Sequence, residues 1–239
     1  MDNEVRTPET ASTDAASPNL IQRVMLVFFS PSKLGEVLRV RSPWFWTLTI
    51  VAVVSTLAWA LLPGELMQAV VEAQAAQRPQ NQQAMDPETM IRVTRIFGAL
   101  TILVITYVFA AVAAGILYLA FNVALGQDIT YKQHLSAMSH VYWINLLGFL
   151  VLLPIWLAKL DVQVTLSLGL LLPEGPDSFV GHLLNSITIF GLWSTFALGV
   201  VESGLTGGKV TVGKAVTTML VLYSVWVVVS ALRATFLGG

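Results

Sequence analysis

Residues 206–215 read TGGKVTVGKA, in which Gly208 and four intervening residues are followed by Gly213 and Lys214. Phosphate-binding loops have this spacing because backbone N–H groups wrap the phosphates, the Lys neutralises them and a following Ser or Thr holds Mg²⁺. Here that last position is Ala215, which ligates nothing, and a genuine loop would also need a buried strand before it. A second set of chemically capable residues lies in HLSAMSHVYWIN, residues 134–145. Ser136, Ser139 and His140 share a helical face at i, i+3 and i+4, and Asn145 lies further along. With Asn122 and Glu202 they are polar groups inside hydrophobic runs, where ionisable side chains are costly and count as functional candidates. Two chemistries fit them. One is a proton-coupled or metal-binding cavity around His140 and Glu202. The other is hydrogen bonding between helices, worth about 0.6–2 kcal/mol for each contact. The second is preferred, because no HExxH, no carboxylate pair and no second mid-membrane charge accompany the cluster. His134 and His182 fall at the ends of runs and are expected to face headgroups or water.

No catalytic constellation competes with these readings. There is no Cys, which excludes thiolate nucleophiles, zinc–thiolate sites and iron–sulfur clusters, and no Ser stands in a nucleophile elbow. The 13 Lys and Arg against 14 Asp and Glu give a net charge of -1, so no basic field suggests nucleic acid. The expectation is a protein that is not an enzyme, with no resident metal or cofactor and no nucleic-acid or nucleotide partner.

The elements that carry these residues are hydrophobic helices. The chain of 239 residues is 55% hydrophobic and 11% charged, against about a quarter charged in ordinary globular domains. Its mean hydropathy is +0.72. A span needs about 20 mostly apolar residues, and five segments qualify: 44–63, 94–125, 134–158, 183–202 and 213–236. The fold class is therefore all-α, a polytopic helical membrane protein with about five transmembrane helices.

Residues 1–19 read as a disordered cytoplasmic tail and 20–42 as an amphipathic interfacial entry. Residues 43–239 read as the five-span membrane domain. In the entry, Ser17 with Pro18 signals a helix start and Pro31 divides two short helices; Leu34, Val37 and Leu38 share one face while Lys33, Glu36 and Arg39 point elsewhere. Asp86, Pro87 and Glu88 start the second span well outside the membrane. Alternation over Val162–Leu170 suggests an extended or interfacial segment, and Pro154 a kink.

With the N-terminus inside, Arg6, Arg23, Lys33, Arg39, Arg41, Lys132, Lys209 and Lys214 are cytoplasmic, and Arg78, Arg92, Arg95, Lys159 and Arg233 lie outside. This bias, densest before the first span, orients the chain with its C-terminus out. Candidate lipid or partner contacts are Lys33, Arg39, Arg41, Trp44, Lys132, Lys209 and Lys214. The expected partners are the lipid bilayer and either another membrane protein or a second copy of the chain. Small residues on the second span, Gly98, Ala110, Ala113, Ala114 and Gly115, permit close helix contacts within or between subunits.

GQDITYKQHL from Gly126 and GGKVTVGKAV from Gly207 both read Gly, two residues, Ile or Val, then Thr. Glycine ends one helix and Thr caps the next, so spans two with three and four with five form two parallel helical-hairpin repeats. On this reading the phosphate-loop window is turn punctuation.

Together, FFSPSKLGEVLR, Trp44 at the first span, LGQDITYKQHLSAMSHVYWI, Leu153 with Pro154, and FGLWSTFALGVVESGLTGGKVTVGKA resemble the Ypt-interacting-protein (Yip) family. In the last stretch Phe190, Trp193, Gly199 and Lys214–Ala215 carry the likeness. The resemblance covers residues 20–236 and implies a five-span helical domain with a cytoplasmic N-terminus. Eukaryotic relatives are implied to bind Rab-type GTPases. The short low-complexity tail and larger outer loop look like a bacterial member in the inner membrane, to which Rab binding is not carried over. The family supplies no catalytic residues. The expected function is a scaffold or accessory subunit for a membrane complex or membrane organisation; the alternative is a transporter, channel or lipid-handling protein.

Overall fold

The computed structural model describes residues 17–76, 86–172 and 178–237. Most of the expected tail, with Arg6, and the loop position Arg78 lie outside the described residues.

Two short helices come first. In α1 (Leu20–Phe29) the Asn19 side chain accepts from Gln22 N while Gln22 reaches back to Asn19 N, a capping box. The helix thus starts at Asn19 rather than at Ser17, because Asn19 has the reciprocal Gln three residues on. In α2 (Pro31–Val40), Pro31 occupies the first turn, where its missing N–H costs nothing.

Next come α3 (Phe45–Ala60) and α4 (Gly64–Ala76), bent by 89° at the break between them. Arg95 donates through one nitrogen to the Ala60 and Leu62 carbonyls, satisfying the end of α3 where the helix dipole favours a cation. In α5 (Pro87–Tyr118), Asp86 accepts from Thr89 N at 3.0 Å and Pro87 follows it. This interaction holds the exposed Asp86 carboxyl below its ordinary range, the Thr89 backbone N–H being the main cause. The helix then widens into a π turn, Leu119–Ala124.

The remaining helices are α6 (Tyr131–Lys159), α7 (Phe179–Ser186), α8 (Ile189–Leu205) and α9 (Val212–Leu237). α6 runs uninterrupted through Pro154. The alternating segment reduces to one antiparallel bridge, Ser167 with Thr188, followed by a 3₁₀ turn at Leu168–Leu171.

The described residues form helices and no strand longer than that one bridge. Among them three helices are long and apolar enough to cross a membrane, α5 with its π turn, α6 and α9, and a fourth if α3 and α4 count as one bent span. At 16 and 17 residues, α3 and α8 are each about 24–26 Å long. Many large apolar side chains of α5 and α9 face outward, Phe97, Val104, Val112, Val221 and Val229 among them, as in a bundle whose surroundings are apolar.

The core lies around α8, which is buried continuously from Ala197 to Ser203 between α2, α6 and α9. Glycines set two of these approaches. A Cβ at Gly35 would collide with the Val201 carbonyl oxygen and come within 2.8 Å of Gly204 Cα, and one at Gly199 would lie 2.7 Å from Val216 Cα. The apolar face of α2 therefore packs on α8, with Leu34 and Leu38 fully buried, instead of entering lipid. Among the small residues of α5, Gly98 backs onto the Trp59 indole and Ala110 and Ala114 pack with Leu48 and Leu135, contacts within the chain.

Candidate functional site

α1, α2 and the α5–α6 and α8–α9 turns meet at one end of the bundle, and the first three turns of α6 bind them together. Thr130 caps α6 with Gln133 in a capping box. Four side chains of these turns then reach in four directions. Gln133 Nε2 donates to the Arg39 carbonyl of α2 at 2.8 Å. His134 meets α5 and α8. Ser136 Oγ donates to the Pro43 carbonyl, before α3, at 3.1 Å. His140 meets Arg23 of α1, whose Nε donates to its Nε2 at 3.3 Å.

His134, expected at a wet span end, is fully buried. Its Nδ1 lies 3.0 Å from Glu202 Oε1 and 2.9 Å from Oε2; only Oε1 has hydrogen-bonding geometry, and Oε2 has no donor. Its Nε2 lies 3.4 Å from Asn122 Oδ1. The Asn122 amide is oriented by donating to the Ile129 carbonyl, so its oxygen faces the ring. Both ring nitrogens thus face oxygens, Nε2 the Asn122 amide and Nδ1 the Glu202 carboxyl group. Tyr118 and Phe121 enclose the ring at centroid distances of 6.2 and 6.1 Å. The π turn carries Phe121 and Asn122 to this position.

His140 is a separate unit. Its Nδ1 donates to the Ser136 carbonyl at 2.7 Å, where Ser139 Oγ also donates at 2.8 Å, which leaves Nε2 as the acceptor for Arg23. The expected pairing of His140 with Glu202 is therefore replaced: Glu202 takes His134, and His140 takes Arg23. No protein-family model, curated protein or solved structure matches the chain. Among the described residues no group of three His, Asp or Glu stands together in a way that could hold a metal.

Asn145, the remaining member of the expected cluster, lies apart from both units. It is exposed, has no hydrogen bond among the described residues, and lines a groove of about 510 Å³ between α5 and α9 and a smaller one toward Trp156 and Phe190. Phe109 and Trp226 meet edge to face at 6.1 Å beside the larger groove.

The expected surface contacts divide into groups. Lys33, Arg41 and Lys214 are exposed. Arg39 and Lys209 line a recess of about 260 Å³ with Gln127, Asp128 and Gln133. Trp44 and Lys132 line a pocket shared with Arg23.

The Gly208–Lys214 window is a helix–helix turn. Gly207 and Gly208 have φ of +65° and +82°, and Thr211 Oγ1 accepts from Lys214 N at 3.3 Å to start α9. The other turn has Gly126 at +66° and Thr130 as cap. A further correspondence was not read from the sequence: Asn122 donates to Ile129 O and Ser203 donates to Val210 O, each acceptor seven residues after its donor.

Proposed function

We propose that the protein is a non-enzymatic integral membrane scaffold or accessory subunit of Yip type. The observation that carries this is how the interior polar groups are used. Asn122, Gln133, His134, Ser136, His140 and Glu202 bond to one another, to Arg23 and to backbone carbonyls, and so join α1, α2, α5, α6 and α8. Groups so engaged hold helices together and have little left to offer a substrate.

In this reading α3, α5, α6, α8 and α9 are the five spans. The short α3 and α8 are accommodated by the Trp44–Trp46 belt at the start of α3 and by the protein packed around α8. The seven-residue correspondence supports two parallel hairpin repeats. The cations at the turn end, Arg23, Lys33, Arg39, Arg41, Lys132, Lys209 and Lys214, support a cytoplasmic N-terminus and an outer C-terminus in a bacterial inner membrane.

One observation favours the conduit reading: an unpartnered amide, Asn145, at the junction of two grooves. The two readings separate in one experiment. The protein is extracted in nanodiscs for partner analysis and also reconstituted in liposomes for ion and solute flux. A scaffold retains a stoichiometric membrane protein or second copy and shows no flux above empty liposomes. Flux abolished by Asn145→Leu, in a variant that stays folded, would reverse the conclusion.

A further inference from the structure

The turn end carries a pocket of about 600 Å³ bounded by α1, the α2–α3 connection, the start of α3 and the start of α6. Arg23 and Lys132 line it beside Trp44, Phe45, Trp46 and Thr47. Three of its groups are incompletely satisfied, and each points to the same kind of ligand.

Arg23 is half-buried with neutral partners only, His140 Nε2 and the Pro18 carbonyl. No carboxylate pairs with it among the described residues, where His134–Glu202 is the one ion pair. Burial and the neighbouring Arg41 both work against its charge. Lys132 is the second residue of α6, a position where the helix dipole disfavours a cation and favours an anion.

Thr47 is 1% exposed and its Oγ1 has no partner among the described residues. A helical Thr ordinarily bonds the carbonyl four residues back. Here that carbonyl is Pro43's, which accepts from Ser136 Oγ instead. Around these groups the walls are apolar, and the edge-to-face row Trp44, Phe45 and Trp46, at 5.6 and 5.3 Å, ends in a Trp46 that is 70% exposed. Trp at that exposure beside cations suits the headgroup layer.

We infer that this pocket binds the phosphate of one anionic phospholipid, with Arg23 and Lys132 facing the phosphate, the Thr47 hydroxyl donating to it and the acyl chains leaving along Ile50 and the aromatic row. A two-cation site joined to an apolar wall selects an amphiphile over a free anion. The inference rests only on the bundle lying in a bilayer and is independent of the choice between scaffold and conduit.

The test is native mass spectrometry of the full chain taken from nanodiscs of equal phosphatidylglycerol and phosphatidylcholine. One phosphatidylglycerol should remain bound at least ten-fold in excess over phosphatidylcholine. Lys132→Glu should abolish the preference and Thr47→Val should weaken it several-fold. Neither touches the Arg23–His140 contact, so both report on lipid in a folded protein. Equal retention of the two lipids, an unchanged preference in Lys132→Glu, or displacement of the lipid by 10 mM inorganic phosphate would overturn the inference, the last assigning the site to a soluble anion. Extraction of the chain from membranes without detergent would instead defeat the membrane reading itself.

Discussion

Replacing His134 and Glu202 separately and together measures what the buried pair does. In His134→Leu a fully buried carboxylate keeps neither of its contacts to Nδ1, and breaking one side of a buried pair costs about 3–5 kcal/mol. In Glu202→Met the imidazole keeps its long contact to Asn122 but its Nδ1 faces apolar atoms, a loss of about 1–3 kcal/mol. The double variant removes both desolvated groups and leaves Asn122 with its bond to Ile129. It should lie between about 1 kcal/mol less stable and about 3 kcal/mol more stable than the parent. The sum of the single losses, about 4–8 kcal/mol, thus exceeds the double by at least about 3 kcal/mol, well above the ~0.6 kcal/mol average for polar contacts between membrane helices. Reversible unfolding in mixed micelles, followed by far-UV circular dichroism, gives all four stabilities. A double variant as unstable as the summed singles would refute the pair's role as a mutual lock.

Three further outcomes follow from other contacts. Gly35→Val drives a side chain into the Val201 carbonyl and Gly204, backbone atoms that cannot rotate aside, and should cost at least about 1–3 kcal/mol and expose α1–α2 to limited proteolysis before the rest of the bundle. Arg95→Gln releases the Ala60 and Leu62 carbonyls and should loosen the α3–α4 bend by about 1–2 kcal/mol, seen as lost hydrogen-exchange protection confined to residues 57–67. Asp86 has a depressed folded pKa, so its cap is fully present above the ordinary carboxylate value and is lost as pH falls through the lower folded one. Protection factors in the first turn of α5 should therefore be flat from neutral pH to the ordinary value and drop below it, and Asp86→Asn should keep the cap and remove the pH dependence.

Much of the architecture was legible because it is written locally. Hydropathy located the long helices, Asp86–Pro87 the start of α5, Pro31 the break between α1 and α2, and Gly126 with Thr130 and Gly207 with Thr211 the two turns. Each signal sits within four residues of the feature it makes. The site was legible only as an inventory. Asn122, Ser136, His140 and Glu202 were recognisable as polar groups in apolar runs, yet their pairing depends on which helices are neighbours and at what depth. Glu202 is 62 residues from His140 and 68 from His134, and nothing local chooses between them. Depth was the usable signal. Asn122 and Glu202 each lie within five residues of a turn glycine and His134 lies four after its cap, so all three share one level, whereas His140 lies nearly two turns deeper. The same limit hid the destination of α2, since an amphipathic helix has the same pattern whether lipid or α8 covers its face.

The position of Glu202 explains why α8 can be short and still central. A carboxyl group in hydrocarbon costs several kcal/mol, so a helix carrying one is stable there only when other helices supply its surroundings. α8 meets that condition from three sides. α6 brings His134, the π turn of α5 brings Asn122 and Phe121 around that ring, and α2 closes the remaining side through Gly35 and Gly204. The solvent of α8 is the protein, and its length need not match a bilayer on its own. On the proposed reading, Asn122, His134 and Glu202 serve to seat α8 among the other helices. Asn145 differs: it lies on the same helix as the hub, meets no partner among the described residues and opens onto two grooves, so a conduit in this bundle would be centred there and not on the buried histidines.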